Sequence, residues 1–561
     1  MLTSPNQFPS RPSPDPRLEP PSPRQADDGV LVCLLCRLGH NLQPSSRRWA
    51  RSLPLTSFAS TMRSVQYISL ASLFAAATVS AGVVTVPFEK RNLNSDFAPS
   101  LLRRDGSVSL DAINNLTGGG YYAQFSVGTP PQKLSFLLDT GSSDTWVNSV
   151  SADLCTDEYT QQSVGEYCFR QFNPRRSSSY KSSTQVFDIT YLDGRRIRGN
   201  YFKDTISINN ANITGQQIGL ALQSVRGTGI LGLGFRENEA SDTKYPTVID
   251  NLVSQKVIPV PAFSLYLNDL QTSQGVLLFG GVDTDKFHGG LATLPLQSLP
   301  PSISKSQDIV MYSVSLDGFS ASGLDTPDVS AKAILDSGST ITLLPDAVVQ
   351  QIFDKYGVLN IQGLPIPFID CGKANTKDAT FNFKFQGKTI KVPIDEMVLN
   401  NLAKASDEIM SDPTLSKFFD GWSGVCTFGL SSTKTYGIDS DEFVLLGDTF
   451  LRSAYVVYDL QNKQIGIAQA TLNSTSSSIV EFQAGSKSIP GPASTGDDSD
   501  DSDNSGNSNS GNSTDPADSG DSGNADTQSD SDSAGAALYP TFSIALAGTL
   551  FMAVSMMMSA L

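Results

Sequence analysis

The chain has 561 residues, 39% of them apolar, so it can bury a sizeable core and is not disordered as a whole. Its formal charge of −16 gathers in an Asp-rich tail, 491–535, that lacks Lys and Arg, and so acidic a chain argues against nucleic acid as a partner. Only two histidines occur, His40 and His288, which argues against Ser-His-Asp hydrolases, Cys-His proteases and His-ligated zinc enzymes; no metal or cofactor is implied.

Residues 1–61 are rich in Pro, Ser and Arg and show no sustained periodicity. They read as a non-native or disordered extension ahead of Met62, and the Cys33-Leu34-Leu35-Cys36 run lacks a second pair or a His to complete a ligand set. Met62-Arg63, the apolar run 65–79 and Val79-Ser80-Ala81 have the charged, apolar and small-residue regions of a signal peptide, placed at 62–81. A pro-segment is expected over 82–104, with dibasic pairs Lys90-Arg91 and Arg103-Arg104 as processing sites and a mature chain starting near Asp105.

From 118 to 475, short apolar or alternating runs are broken by Gly, Pro, Asn and Asp: 121–127, 133–138, 186–191, 205–208, 275–279, 444–446 and 455–459. Strands with frequent turns fit them, and the fold class is mainly β. Helices are expected at 346–356, after Pro345, and at 395–405. His288, in the turn-like run 285–290, reads as a surface residue. Cysteines 155, 168, 371 and 426 remain in this region; order and loop length favour Cys155–Cys168 and Cys371–Cys426 among the three possible connectivities, with both bridges structural.

Residues 484–535, built from Ser, Asp, Gly and Asn, cannot bury enough apolar surface to fold and read as a flexible stalk. The uncharged apolar run 536–561 suits a GPI-attachment signal, with a tail-anchored helix as the alternative. Asn524 is the candidate attachment residue, and Ser531, Ser533 or Gly535 could serve instead. Sequons at Asn115, Asn212, Asn473 and Asn512 fit a secretory route and cell-surface anchoring to plasma membrane or wall.

One pattern appears twice: Phe136-Leu137-Leu138-Asp139-Thr140-Gly141-Ser142-Ser143 and Ala333-Ile334-Leu335-Asp336-Ser337-Gly338-Ser339-Thr340. Each sets an Asp at the end of an apolar strand, and each is followed by its own apolar-apolar-Gly element, Ile230-Leu231-Gly232 and Leu445-Leu446-Gly447. Such a repeat implies two similar lobes about a pseudo-twofold axis, divided here as 105–290 and 291–483. Two Asp a few ångströms apart cannot both ionise; they share a proton, one acting as general base toward water and the other as general acid toward a carbonyl. Thr140, Ser142, Ser337 and Ser339 can orient the carboxylates, and Gly141 and Gly338 let backbone N–H groups approach them.

These motifs resemble those of the pepsin-like aspartic proteases. The resemblance also rests on Gly128-Thr129-Pro130-Pro131-Gln132, Trp146, the run 229–234, Phe279-Gly280-Gly281-Val282-Asp283 and the run 446–452. It implies a bilobal β fold with a cleft between lobes, catalytic Asp139 and Asp336, and a flap carrying Tyr191, Asp193 and Gly194, whose tyrosine bonds toward Trp146. The flap departs from the usual pattern at Leu192 and in Arg195, Arg196 and Arg198, which read as a charged hairpin edge. With the leader, dibasic pro-segment, stalk and tail, the layout looks like fungal yapsins, which cleave near basic residues at the cell surface. The carboxylates Asp157, Glu158, Glu166 and Asp193 are compatible with cationic peptides. The expectation is a monomeric cell-surface endopeptidase acting on peptide or protein substrates and joined to the membrane by a lipid anchor; the alternative is a catalytically silent wall-anchored binding protein.

Overall fold

Strands form where β-branched and aromatic residues cluster between Gly, Asn and Pro, and the expected apolar runs become Gly120–Val127, Gln132–Asp139, Lys181–Thr190, Arg196–Ile208, Gln274–Phe279, Phe443–Leu446 and Ala454–Asp459. The computed structural model describes residues 82–91 and 120–494, apart from 165, 210, 273, 305, 362–365 and 414. The extension, the signal peptide, Arg103-Arg104, Asn115, Asn512, Asn524 and the apolar tail lie outside the described residues.

The fold is mainly β and bilobal. The largest sheet runs from Phe287–Pro295 through Gln464–Ala470, Ala454–Asp459, Ala262–Tyr266, Gln274–Phe279 and Val84–Arg91 to Gly120–Val127. It continues through Gln132–Asp139, Gly229–Gly232, Trp146–Asn148 and Ala211–Gln223 to the hairpin Arg196–Ile208 and Lys181–Thr190. Smaller sheets complete the C-terminal half, one ordering Ser313–Leu316, Ala331–Leu335, Phe443–Leu446, Thr342–Leu344 and Leu430–Ser432.

The sequence repeat becomes a topological repeat. Gln132–Asp139 runs parallel to Gly229–Gly232 with Asp139 opposite Gly232, and Ala331–Leu335 runs parallel to Phe443–Leu446 with Leu335 opposite Leu446. In each half a short strand then returns antiparallel beside the Gly element, with Trp146 opposite Ile230 and Leu343 opposite Leu445. An added Cβ would meet backbone at 2.4 Å from Gly232 and at 2.3 Å from Gly447, so this crossing requires glycine.

Asp346–Tyr356 forms the expected helix, burying Val348, Val349, Ile352, Phe353 and Tyr356 and closing on Gly357 at φ 68°. The helix expected at 395–405 is corrected to Ala403–Ser411. Met397, Val398 and Leu399 are buried, and the strand Val398–Leu399 pairs with Val425–Phe428, so apolar burial in a sheet overrides the helical reading there.

Two segments near the ends of the described chain are built in. Val84–Arg91, inside the expected pro-segment, sits between Gln274–Phe279 and Gly120–Val127 and buries Val84, Val86 and Phe88. Ile479–Glu481 pairs with Gly281–Asp283, Phe482 is buried, and Ala493 bridges Leu291, so the first residues assigned to the stalk, 484–494, continue a strap across this sheet. His288 is exposed.

Candidate active site

The two repeated turns meet through reciprocal hydrogen bonds. The Thr140 hydroxyl donates to the Leu335 carbonyl at 2.9 Å and accepts from the Ser337 N–H at 2.9 Å. The Ser337 hydroxyl donates to the Leu138 carbonyl at 2.9 Å and accepts from the Thr140 N–H at 3.2 Å. Four bonds across the axis lock the turns in one relative position, and all are buried, where such bonds count most.

This lock brings Asp139 and Asp336 together. A Cβ added at Gly141 would lie 2.4 Å from Asp336 Oδ1, and one added at Gly338 would lie 2.2 Å from Asp139 Oδ1. Each glycine thus lies against the opposite aspartate. Each also donates its own N–H to the aspartate before it, Gly141 to Asp139 at 2.9 Å and Gly338 to Asp336 at 2.8 Å. The hydroxyls follow the same symmetry: Ser142 donates to Asp139, and Ser339 to Asp336 at 2.7 Å. Burial, and then the charge of Asp336, pushes the Asp139 carboxyl well above the usual carboxylate range, against the lowering effect of Ser142 and Gly141. Asp139 therefore keeps its proton to higher pH than an isolated aspartate would.

The Gly elements brace these turns from behind. Leu233 N–H donates to the Asp139 carbonyl and Gly234 N–H to that of Ser142, both at 2.8 Å; in the second half Asp448 N–H donates to the Ser339 carbonyl at 2.8 Å. Sequence reading quoted Asp448 and Arg452 in a motif but gave them no task. Asp448 is buried, which pushes its carboxyl far up, and the negative charges of Asp336 and Asp139 add to that rise. Arg452, 1% exposed, is clasped by the Glu396 carboxylate and carbonyl.

The hairpin of Lys181–Thr190 and Arg196–Ile208 turns at Tyr191, Leu192, Asp193 and Gly194, where Gly194 takes φ 79° and donates to the Tyr191 carbonyl. Trp146 Nε1 donates to the Tyr191 hydroxyl at 2.7 Å. Burial, with the nearby charge of Asp139, raises the Tyr191 phenol, which stays protonated. Arg196 and Arg198 pair with Asp188 across the hairpin, as a charged edge should. Arg195 turns instead to Glu166, and Asp193 accepts from Arg226, a residue sequence reading passed over.

Cys155 is bonded to Cys168 and Cys371 to Cys426. Asn212 and Asn473 are exposed. Among the described residues no group of His, Cys, Asp and Glu could hold a metal ion.

The family model of eukaryotic aspartyl proteases matches residues 120–470. The chain is 35% identical over 73% of its length to a probable aspartic-type endopeptidase opsB of Aspergillus oryzae, covering 80% of that protein. It is 33% identical to an acid protease of Saccharomycopsis fibuligera, over 69% of this chain and 88% of that one. It is also 33% identical to secreted aspartic protease 8 of Candida albicans, over 67% of this chain and 81% of that one.

Proposed function

The chain belongs to the eukaryotic aspartyl proteases, and from that premise we propose that Asp139 and Asp336 are its catalytic dyad, working in acid on peptide bonds of extended substrates. The observation that carries this reading is the reciprocal Thr140–Ser337 lock, which faces the two carboxylates across the repeat axis. With one proton shared, the ionised member takes a proton from a water while that water's oxygen bonds to the scissile carbonyl carbon. The protonated member gives its proton to the carbonyl oxygen. The tetrahedral adduct then collapses: one of its hydroxyls gives a proton to the aspartate now ionised as the C=O re-forms, the C–N bond breaks, and the leaving nitrogen takes a proton from the aspartate now protonated. Tyr191, closing with its flap and tied to Trp146, excludes bulk water from that step.

Activity requires the shared proton, which is held below the raised value of the pair and lost above it, so turnover falls as pH rises past that point. Pepstatin-sensitive cleavage of a peptide at acid pH is the test. Asp139→Asn and Asp336→Asn are each expected to lower kcat by a factor of about 10² to 10⁴ or more with the fold retained. Undiminished turnover in either variant would sink the dyad. Binding of a peptide without any cleavage by the unaltered chain would favour the silent binding protein.

The leader, the exposed sequon residues Asn212 and Asn473, the Ser/Asp-rich stalk and the apolar tail support secretion to the cell surface and a lipid anchor, with the chain acting as a monomer. The secreted Candida relative supports the first of these. Preference for basic residues has a narrower basis than the acidic surface suggests. Glu166 and Asp193 are already paired with Arg195 and Arg226, which leaves Asp157 and Glu158, exposed on the disulfide loop, open to a substrate cation.

A further inference from the structure

The flap tip is tied down by groups outside the hairpin. Arg226 lies between the strands Ala211–Gln223 and Gly229–Gly232, and its guanidinium donates to Asp193 Oδ2 at 2.6 Å while sitting 5.0 Å from the centroid of the Tyr191 ring. Asp193 Oδ1 accepts from the Arg195 N–H at 3.0 Å, which keeps that carboxylate turned toward Arg226. From the loop closed by Cys155–Cys168, Glu166 accepts from Arg195 Nη1 at 3.4 Å and from the Gly227 N–H at 3.0 Å. Two arginines and two carboxylates thus form one chain from the disulfide loop through the flap to the residue beside Gly227. Arg226 anchors its far end: the Asp193 contact fixes the tip, and the ring contact fixes the tyrosine that reaches Trp146.

We propose that Arg226 is a positioning and specificity-determining residue, which holds the flap tip in its closed place and neutralises Asp193 so that the flap does not select basic substrates. The inference rests on the proteolytic reading above. With its carboxylate free, Asp193, whose side chain is 38% exposed at the flap tip, would present a negative charge that draws a Lys or Arg side chain of the substrate. Arg226 occupies that charge from within the chain. A substrate cation reaches Asp193 only by displacing a guanidinium already paired, stacked on a ring and fixed by its own backbone, since the Arg226 carbonyl accepts from Asn148 Nδ2 at 2.9 Å.

The experiment uses the mature enzyme and two peptides that differ by Lys or Gln at one position flanking the scissile bond, the pair being repeated for each position. In Arg226→Ala, KM for the Gln peptide is expected to rise about tenfold, because closing the flap then costs binding energy that the clamp had supplied. Its ratio of kcat/KM for Lys over Gln is expected to rise about tenfold at the position beneath the flap tip, because Asp193 loses its close ionic partner and keeps only Arg195 Nε, at 3.8 Å. Arg226→Lys should restore the wild-type ratio, since the charge returns, and recover KM in part, since the planar stack does not. Asp193→Asn, on the exposed tip, breaks the same clamp from the other side; it should raise KM without the gain for Lys, and added to Arg226→Ala it should abolish that gain. A structural role alone moves Tm and leaves the Lys/Gln ratio at every position as in wild type, and that outcome overturns the inference. So does an unchanged KM in Asp193→Asn. If the wild-type enzyme cleaves neither peptide and does not bind pepstatin, the proteolytic reading fails instead.

Discussion

At the scale of single residues, the site separates into side chains that announce themselves and side chains that do not. Asp139, Thr140, Asp336 and Ser337 stand at fixed offsets from the ends of apolar strands, and that local pattern, written twice, fixes their positions before any coordinate is known. Arg226, Glu396 and Arg452 have no such offset. Their partners are brought to them by the fold: Arg452 reaches Glu396, 56 positions away, and Arg226 reaches Asp193, 33 away. A pattern search over short windows cannot join them. The lock at the axis is the residue-level feature with the sharpest consequence. In Thr140→Val the shape is kept, but the Leu335 carbonyl and the Ser337 N–H lose their buried partner. Each orphaned group costs about 1 to 3 kcal/mol, so a fall in Tm is expected together with a loss in kcat larger than any rise in KM, because the relative placement of the carboxylates is what slackens. Thermal melts and peptide kinetics on this variant measure both; an unchanged kcat would show that the lock does not set the dyad.

At the scale of elements, strands and the helix Asp346–Tyr356 were legible because their period and their bounding Pro345 and Gly357 agree with their environment. The region 395–405 was not, since Met397 to Leu399 are pulled into a sheet by a partner strand nearly thirty residues downstream. Nor does sequence reveal that a segment read as dispensable supplies a strand to the core. Phe88 packs edge-on against Tyr121, with ring centroids 5.4 Å apart, and lies where Gly275 leaves room for it. Glu89, Lys90 and Arg91 pair with Tyr122, Tyr121 and Gly120, so the first dibasic site is part of a sheet ladder, and burial lowers the Lys90 amine to about 8. A processing protease needs extended, accessible backbone, which a paired strand does not offer. Replacing Lys90 and Arg91 by Ala should therefore leave the mature N-terminus unchanged, whereas replacing Arg103 and Arg104 should abolish it. N-terminal sequencing of the secreted enzyme decides; a mature chain starting at Asn92 would reverse the assignment. Any mature form without 82–104 must also fill the slot that Val84, Val86 and Phe88 occupy.

At the scale of the whole molecule, buried acids set how stability follows pH. Burial raises Asp139 and Glu166, lifts Glu239 from 4.5 to about 8, and raises Asp448 well above its ordinary value. Below pH 4 these groups are protonated in both folded and unfolded chains, and the stability they favour is fully present. Between about pH 4 and 8 the unfolded chain releases protons that the native state keeps, so unfolding is promoted as pH rises through that window. A fully buried group such as Asp448 contributes a slope of at most about 1.4 kcal/mol per pH unit while this holds. The opposing shifts act elsewhere. Asp188 and Asp370 are lowered and matter only below pH 4, while Lys90, lowered to about 8, adds stability with pH only above that value. Tm measured by calorimetry should therefore fall steadily from pH 4 to pH 8. Glu239→Gln and Asp448→Asn, which imitate the neutral acids, should flatten that fall, and a Tm that holds or climbs across the window would contradict it. The same acids thus tie the fold to the pH at which the proposed dyad would keep its proton: alkali removes the proton that the proposed chemistry needs and charges the buried carboxyls that the native state keeps neutral.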